Sequence, residues 1–145
     1  MAKGDKKCLI NYEFVWEEMM DKQKNYDILT VLGECYSKSE FEAIFEYMNE
    51  DCVWESQWVI EARKGIENVK EYYQQKSRIL KEHNSKCSYK VVEIHTGKIA
   101  LLITQELENE TKDTMLEVKF SDDFKILRID VCNPAFYSYR DFEIK

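Results

Sequence analysis

The stretch whose reading decides the fold is KGIENVKEYYQQKSRILKEHNSKCSYKVVEIH, residues 64–95. Gly65 interrupts the pattern before it, and then Ile66, Val69, Tyr72, Tyr73 and Leu80 recur at helical spacing. Glu67 stands near the start and Lys76, Arg78 and Lys81 toward the end, which is how a helix dipole sorts charge. After His83-Asn84-Ser85 the apolar period falls from 3.6 to 2. Downstream, the same alternation predicts strands over about residues 88–95, 98–107, 114–120 and 125–133. Thr96-Gly97 and Ser121-Asp122-Asp123 supply hairpin turns, Asn109-Glu110 supplies a weaker one, and Pro134 closes the last strand.

Upstream, Tyr12, Val15, Trp16, Met19, Tyr26, Leu29, Leu32 and Tyr36 are spaced as one long helix, or as two with a break near residues 21–24. Ser39-Glu40-Phe41-Glu42 reads as a capping box opening a second helix, with Phe41, Ile44, Phe45 and Met48 on one face and Asn49-Glu50-Asp51 at its end. Residues 52–58 read as a strand by their aromatic and β-branched content, and 59–63 as a second, short one. Residues 1–10 are expected as a flexible charged tail. Residues 134–145, with Phe136, Tyr137, Tyr139 and Phe142, are expected as an aromatic extension that packs on the body. Helices followed by a run of antiparallel strands is the α+β order, and a long twisted sheet with helices on one face encloses a cone.

The chain's 145 residues make a single domain, 1–145, and 44% apolar with 34% charged residues is ordinary globular composition. A net charge of −7 argues against nucleic acid and anionic membranes as partners. No apolar run approaches the ~20 residues of a membrane span, and the charged start lacks the apolar core of a secretory signal. The five cysteines, Cys8, Cys35, Cys52, Cys87 and Cys132, include no CxxC, so reduced thiols in a cytoplasmic protein are expected, with no metal site and no cofactor.

Three segments carry a family resemblance. Phe41-Glu42-Ala43-Ile44-Phe45 followed by Asn49-Glu50-Asp51-Cys52-Val53-Trp54-Glu55 is one. Lys64-Gly65-Ile66-Glu67-Asn68-Val69-Lys70-Glu71-Tyr72-Tyr73 is the second. Val118-Lys119-Phe120-Ser121-Asp122-Asp123-Phe124-Lys125-Ile126, with Phe124 where glycine is usual, is the third. Their order and spacing over residues 26–133 resemble the NTF2-like superfamily, which includes ketosteroid isomerases and SnoaL-like polyketide cyclases. The resemblance implies a cystatin-like cone, with a strongly curved antiparallel sheet and the N-terminal helices and one long helix on its concave face. It also implies a homodimer through the outer sheet face; the mixed charges of that face offer Arg128 of one chain against Glu117 or Glu106 of the other as a contact, and a wet monomer surface is the rival reading. In the isomerases a general-base Asp, an oxyanion-hole carboxylic acid and an oxyanion-hole Tyr do the chemistry. The matching positions here are Ser56, Leu116 and Leu29, and none of them supplies the needed group.

With side chains alternating along each strand, the resemblance implies an inward set: Trp54, Ser56, Trp58; Leu101, Ile103, Gln105, Leu107; Leu116, Val118, Phe120; and Leu127, Ile129, Val131, Asn133. It leaves Glu117, Lys119, Arg128 and Asp130 wet on the outside. The third strand reads equally as Val91/Glu93/His95 or Val92/Ile94 inward. Trp54, Ser56, Trp58, Gln105 and Asn133 are the candidate ligand-binding residues of an apolar pocket for a small hydrophobic molecule. The alternative is that the same side chains fill the cone. His95, the one histidine within the strands, is the weak candidate for an acid/base group, and a surface histidine is its other reading. An enzyme of the cyclase, dehydratase or hydrolase kind would need the strand phase shifted by one, bringing Glu55, Glu106, Glu117 and Asp130 inside. A pure interaction module is the third class.

Overall fold

The computed structural model describes residues 2–143, with side chains described from residue 18 onward. Eleven elements follow one another: α1 (Ala2–Lys38), α2 (Glu42–Phe45), β1 (Met48–Ser56), β2 (Arg63–Lys64), α3 (Ile66–Glu82), β3 (Lys86–Ile94), β4 (Ile99–Leu107), β5 (Glu110–Phe120), β6 (Ile126–Cys132), a 3-10 turn (Pro134–Phe136) and β7 (Tyr139–Asp141). They form one open seven-stranded sheet in the order β2-β1-β6-β5-β4-β3-β7. The neighbours are antiparallel except for β1 and β6, which run parallel. The sheet is therefore mixed where a purely antiparallel one was expected. α1 packs on β3 and β4, and α3 on β1 and β2, all on one face.

The first helix is unbroken through residues 21–24, and it is helical from Ala2, inside the segment read as a tail. It ends in a Schellman motif. Ser39 adopts φ 57, its N–H donates to the Tyr36 carbonyl, and the Glu40 N–H donates to the Cys35 carbonyl. Ser39 is thus spent on closing α1 and opens no capping box. The second helix accordingly shrinks to one turn, Glu42–Phe45, without a side-chain cap, and Met48 begins a strand. The end of α3 repeats the device, with Asn84 at φ 49 and the Ser85 N–H on the Leu80 carbonyl. Phe124 at φ 59 takes the left-handed position where the sequence pattern usually has glycine.

Gly65 starts α3 at φ 88, ψ 147, a region open in practice only to glycine. A Cβ there would meet nothing within 4 Å, so the demand is purely conformational. Gly65→Val should destabilise the fold by about 1–3 kcal/mol, read as a lower urea midpoint at unchanged slope. At Gly33 the demand is spatial instead: a Cβ would run into the Tyr89 ring, so glycine lets α1 lie down on β3.

The core fills the helix-facing side of the sheet. Leu29, Leu32, Ile44, Val69, Tyr73 and Leu80 from the helices meet Leu101, Ile103, Leu116, Val118, Ile126 and Ile129 from the strands. The third strand puts Cys87 and Val91 into this core, and Val92 and Ile94 into a second, smaller cluster on the outer face with Ala100, Leu102 and Met115. That resolves its phase. The second cluster is covered by Tyr137, and Phe142 packs against Tyr26, so the C-terminal extension wraps the body and adds β7 to the β3 edge. Leu127 departs from its expected inward place. A register shift between Lys119 and Phe120 pairs Phe120 with Ile126, and Ile126 takes the buried position.

Candidate functional site

The centre of the cone is occupied by five aromatic rings in contact. Trp54 stacks on Tyr72 at 3.8 Å between centroids, Tyr72 meets Tyr73 at 5.0 Å, Tyr73 stacks on Phe41 at 4.7 Å, and Phe41 meets Tyr36 edge-on at 5.0 Å. The Tyr36 and Tyr73 hydroxyls lie 3.4 Å apart and share a hydrogen bond inside this apolar cluster. Burial pushes Tyr72 up to about 12, and it pushes Tyr36 and Tyr73 well above the ordinary tyrosine value. These hydroxyls stay neutral at physiological pH and are poor acid/base groups there.

The five candidate ligand residues do not converge. Trp54 is 3% exposed and belongs to the aromatic stack. Ser56 is buried, and its hydroxyl oxygen accepts from the Trp58 N–H. Asn133 caps the 3-10 turn by accepting from the Ala135 N–H, while its own N–H donates to the Gln57 side chain. Trp58 is 47% exposed: β1 ends at Ser56, so strand alternation does not carry the indole inward. Gln105 is half-buried on the inner face of β4. His95 sits exposed in the β3–β4 turn. It lies about 26 Å along the strand from Cys87, at 3.3 Å per residue. Leu29 and Leu116, standing where the isomerases carry their oxyanion-hole groups, are plain core.

A polar cluster does form at the open end of the cone. Cys87 pairs with Gln105, and Gln105 with Lys112, so these three side chains share a row across β3, β4 and β5. Alternation from Val91, Leu101 and Leu116 places the row on the inner face. Lys112 holds its ammonium 4.6 Å from the centre of the Trp58 ring. From the helix side comes Lys76. It lies three residues after Tyr73 and four before Leu80, both fully buried, so it occupies a core position of the α3 stripe. Burial lowers its pKa and the charge of Lys112 lowers it further, while Cys87 opposes. Burial likewise raises Cys87, against the pull of Lys76. The sequence signal for this lysine was present: it is the one charged residue in the 69/73/76/80 stripe.

The four carboxylates on which an alternative strand phase would turn stay outside. Glu117, Asp130 and Glu55 form a row across β5, β6 and β1 on the outer face. Arg128 donates to both Asp130 and Glu55, and the Tyr137 hydroxyl donates to Glu117 at 2.8 Å. Glu106 is exposed. Arg128 is therefore already paired within its own chain, and an ion pair across a twofold axis would have to break these bonds.

Among the described residues, grooves of a size to take a small molecule include two on the helix side. One, of 940 Å³, runs between α1, α2 and α3 past Glu34, Lys38, Phe45 and Arg78. The other, of 810 Å³, opens between the end of α3 and the β4–β5 hairpin, past Ile79, His83, Leu107 and Gln105, the middle residue of the polar row. Among the described residues no group of three His, Cys, Asp or Glu side chains could hold a metal ion, and no helix is long and apolar enough to cross a membrane.

No protein-family model matches the chain, and no curated protein matches it in sequence. Solved structures share its architecture. A putative ketosteroid isomerase from Kribbella flavida is similar at TM-score 0.61 and 11% identity, over 86% of this chain and 84% of that one. An NTF2-like protein with a cystatin-like fold from Novosphingobium aromaticivorans is similar at TM-score 0.58 and 12% identity, over 86% and 89%. An epoxide hydrolase/cyclase-like enzyme of pyran ring formation in the polyether salinomycin is similar at TM-score 0.58 and 15% identity, over 84% and 98%. The chain has the NTF2-like, cystatin-like fold, and the sequence-based expectation of that fold is borne out.

Proposed function

We propose that this chain binds a small, largely apolar molecule at the open end of its cone, and that it is not a ketosteroid isomerase. The observation that carries the reading is the inner-face row Cys87–Gln105–Lys112, next to a half-exposed Trp58 ring and beside an 810 Å³ groove. An aromatic face with a few fixed polar groups is the usual make-up of a small-molecule site. The site lies outside the aromatic stack, because Trp54, Tyr72 and Tyr73 already fill the depth of the cone. The isomerase chemistry lacks its parts: a serine hydroxyl engaged by the Trp58 N–H is no carboxylate base, and two leucines donate nothing to an oxyanion. Five cysteines without paired spacing fit a cytoplasmic setting.

The test is a titration with 4-phenylbutanol, a neutral apolar probe, followed by tryptophan emission and by calorimetry. A saturable signal in the wild type that disappears in Trp58→Phe is the expected result. No heat and no emission change in either chain would refute the reading. Incubated with a 3-oxo-Δ5-steroid, the protein should give no isomerisation above the buffer rate, and turnover lost on Ser56→Ala would overturn that part.

A further inference from the structure

Resting on the reading of the cone mouth as the binding site, we propose that its ligand is a small apolar carboxylate whose anionic group sits between Lys76 and Lys112 while its apolar body lies along Trp58. The two lysines come from opposite sides of the mouth. Lys112 is exposed, projects from the inner face of β5 and holds its ammonium 4.6 Å from the centre of the Trp58 ring. Lys76 projects from the core stripe of α3, one turn beyond the fully buried Tyr73.

Nothing described neutralises this pair. Among the described residues no carboxylate comes within 4.0 Å of either ammonium. The groups facing the pair from the sheet are Cys87 on β3 and Gln105 on β4. Cys87 carries a raised pKa and is a neutral thiol at pH 7, and Gln105 carries no charge. Glu110, two residues from Lys112 on the same face of β5, is exposed at the hairpin end, where solvent and salt screen it.

A half-buried ammonium without a counterion is costly, and the core position of Lys76 would be better filled by an apolar side chain if stability alone were at stake. A ligand carboxylate entering the mouth supplies the missing charge. It gains a charge-assisted contact to the half-buried Lys76 and a second, more open one to the exposed Lys112, and the Gln105 amide is within the same row to donate a third. The Trp58 indole then provides a flat apolar face for the rest of the molecule.

The experiment compares 4-phenylbutyrate with 4-phenylbutanol, which share a body and differ in the charged end. Calorimetry at low salt should find the carboxylate at least tenfold tighter on the wild type, with the advantage shrinking as salt is added. In Lys76→Met and in Lys112→Gln the advantage should fall several-fold while the alcohol still binds. Lys76→Met should at the same time melt higher than the wild type, so loss of preference cannot be laid to damage. Equal affinity for both probes on the wild type would overturn the anion proposal and leave the binding site standing. Failure of both probes to bind would remove both. An undiminished preference for the carboxylate in the two variants would place the anion elsewhere and also overturn the proposal.

Discussion

Between pH 9 and pH 12 the protein should lose most of its stability and unfold in one step, releasing its buried tyrosines to titrate only as it does so. The groups responsible sit in the aromatic stack and beneath it. Burial raises Tyr72 from 10.0 to about 12 and Cys52 from 9.0 to about 11, and it raises Tyr36, Tyr73, Cys35 and Cys87 as well. A group whose pKa is higher folded than unfolded contributes its full stability below the unfolded value. That contribution is lost as pH climbs toward the folded value, because the unfolded chain deprotonates first. The loss therefore begins near pH 9 with the thiols and near pH 10 with the phenols. It continues to pH 11 for Cys52 and pH 12 for Tyr72. Each two-unit shift is worth about 2.7 kcal/mol at the top of its window. Two such groups, with four more shifted the same way, are enough to exhaust a typical 5–15 kcal/mol. Lys76 acts in the opposite sense: its lowered pKa makes the fold less stable while it is charged, so its penalty is relieved as pH rises to 10.5. One relieved lysine does not offset six buried acids. Tyrosinate absorbance and far-UV circular dichroism followed together give the check: of the nine tyrosines, the share of the absorbance due to Tyr36, Tyr72 and Tyr73 should appear only with the loss of ellipticity. Ionisation of all nine tyrosines with native ellipticity retained would show that Tyr36, Tyr72 and Tyr73 are reachable by water. Tyr73→Phe should move the midpoint upward, since it removes an ionisable group at the cost of one weak 3.4 Å hydrogen bond.

The parts of the fold that could be read from sequence are those in which one local signal has one meaning. The stripe Val69, Tyr73, Leu80 behind Gly65 admits only an amphipathic helix with a special backbone angle at its start, and both are present. The alternation of Leu116 and Val118 with Glu117 and Lys119 admits only one face inward, and those two residues are core. Misreadings arose where one residue serves two motifs or the regular period stops. Ser39 can begin a helix as an N-cap or end one in the left-handed conformation, and the choice depends on whether α1 reaches it. Leu127 and Ile126 exchange places through a bulge that leaves no mark in composition. Trp58 was carried inward by counting twos past Ser56, where the strand had already ended; the Val59 N–H bonds back to the Ser56 carbonyl there, which marks a turn. Lys76 was discounted because a lysine late in a helix ordinarily serves the dipole, and its register with Tyr73 and Leu80 outweighs that habit. The site was harder to read than the fold for a physical reason. A core position tolerates any apolar side chain of suitable volume, while a site depends on which few polar groups meet, and that is set by pairings between distant strands.

Trp54→Ala should cost about 3–5 kcal/mol and should convert the filled cone into an open one. The indole is 3% exposed, stacks on Tyr72 at 3.8 Å and pairs in register with Ile129 across β1 and β6. Its removal takes away one end of a five-ring chain whose other members are held by α1, α3 and the segment before α2. Large-to-small changes at such sites lose the transfer free energy of the missing atoms and leave a void whose walls collapse only in part. The walls here include Cys52, Tyr72, Val69 and Ile129, each anchored in a helix or a paired strand, so collapse should be limited. An apolar void of this kind stays dry and takes up apolar guests. The variant should therefore melt well below the wild type and recover part of the loss in the presence of benzene or indole, which should raise its melting temperature by more than that of the wild type. Trp58→Ala, removing an indole of the same size from the half-exposed loop, should cost far less and gain no guest binding. A Trp54→Ala chain no more sensitive to benzene than the wild type would mean that the stack relaxes to fill its own gap. Benzene taken up by a Trp58→Ala chain that keeps Trp54 would mean that the rings do not close the cone.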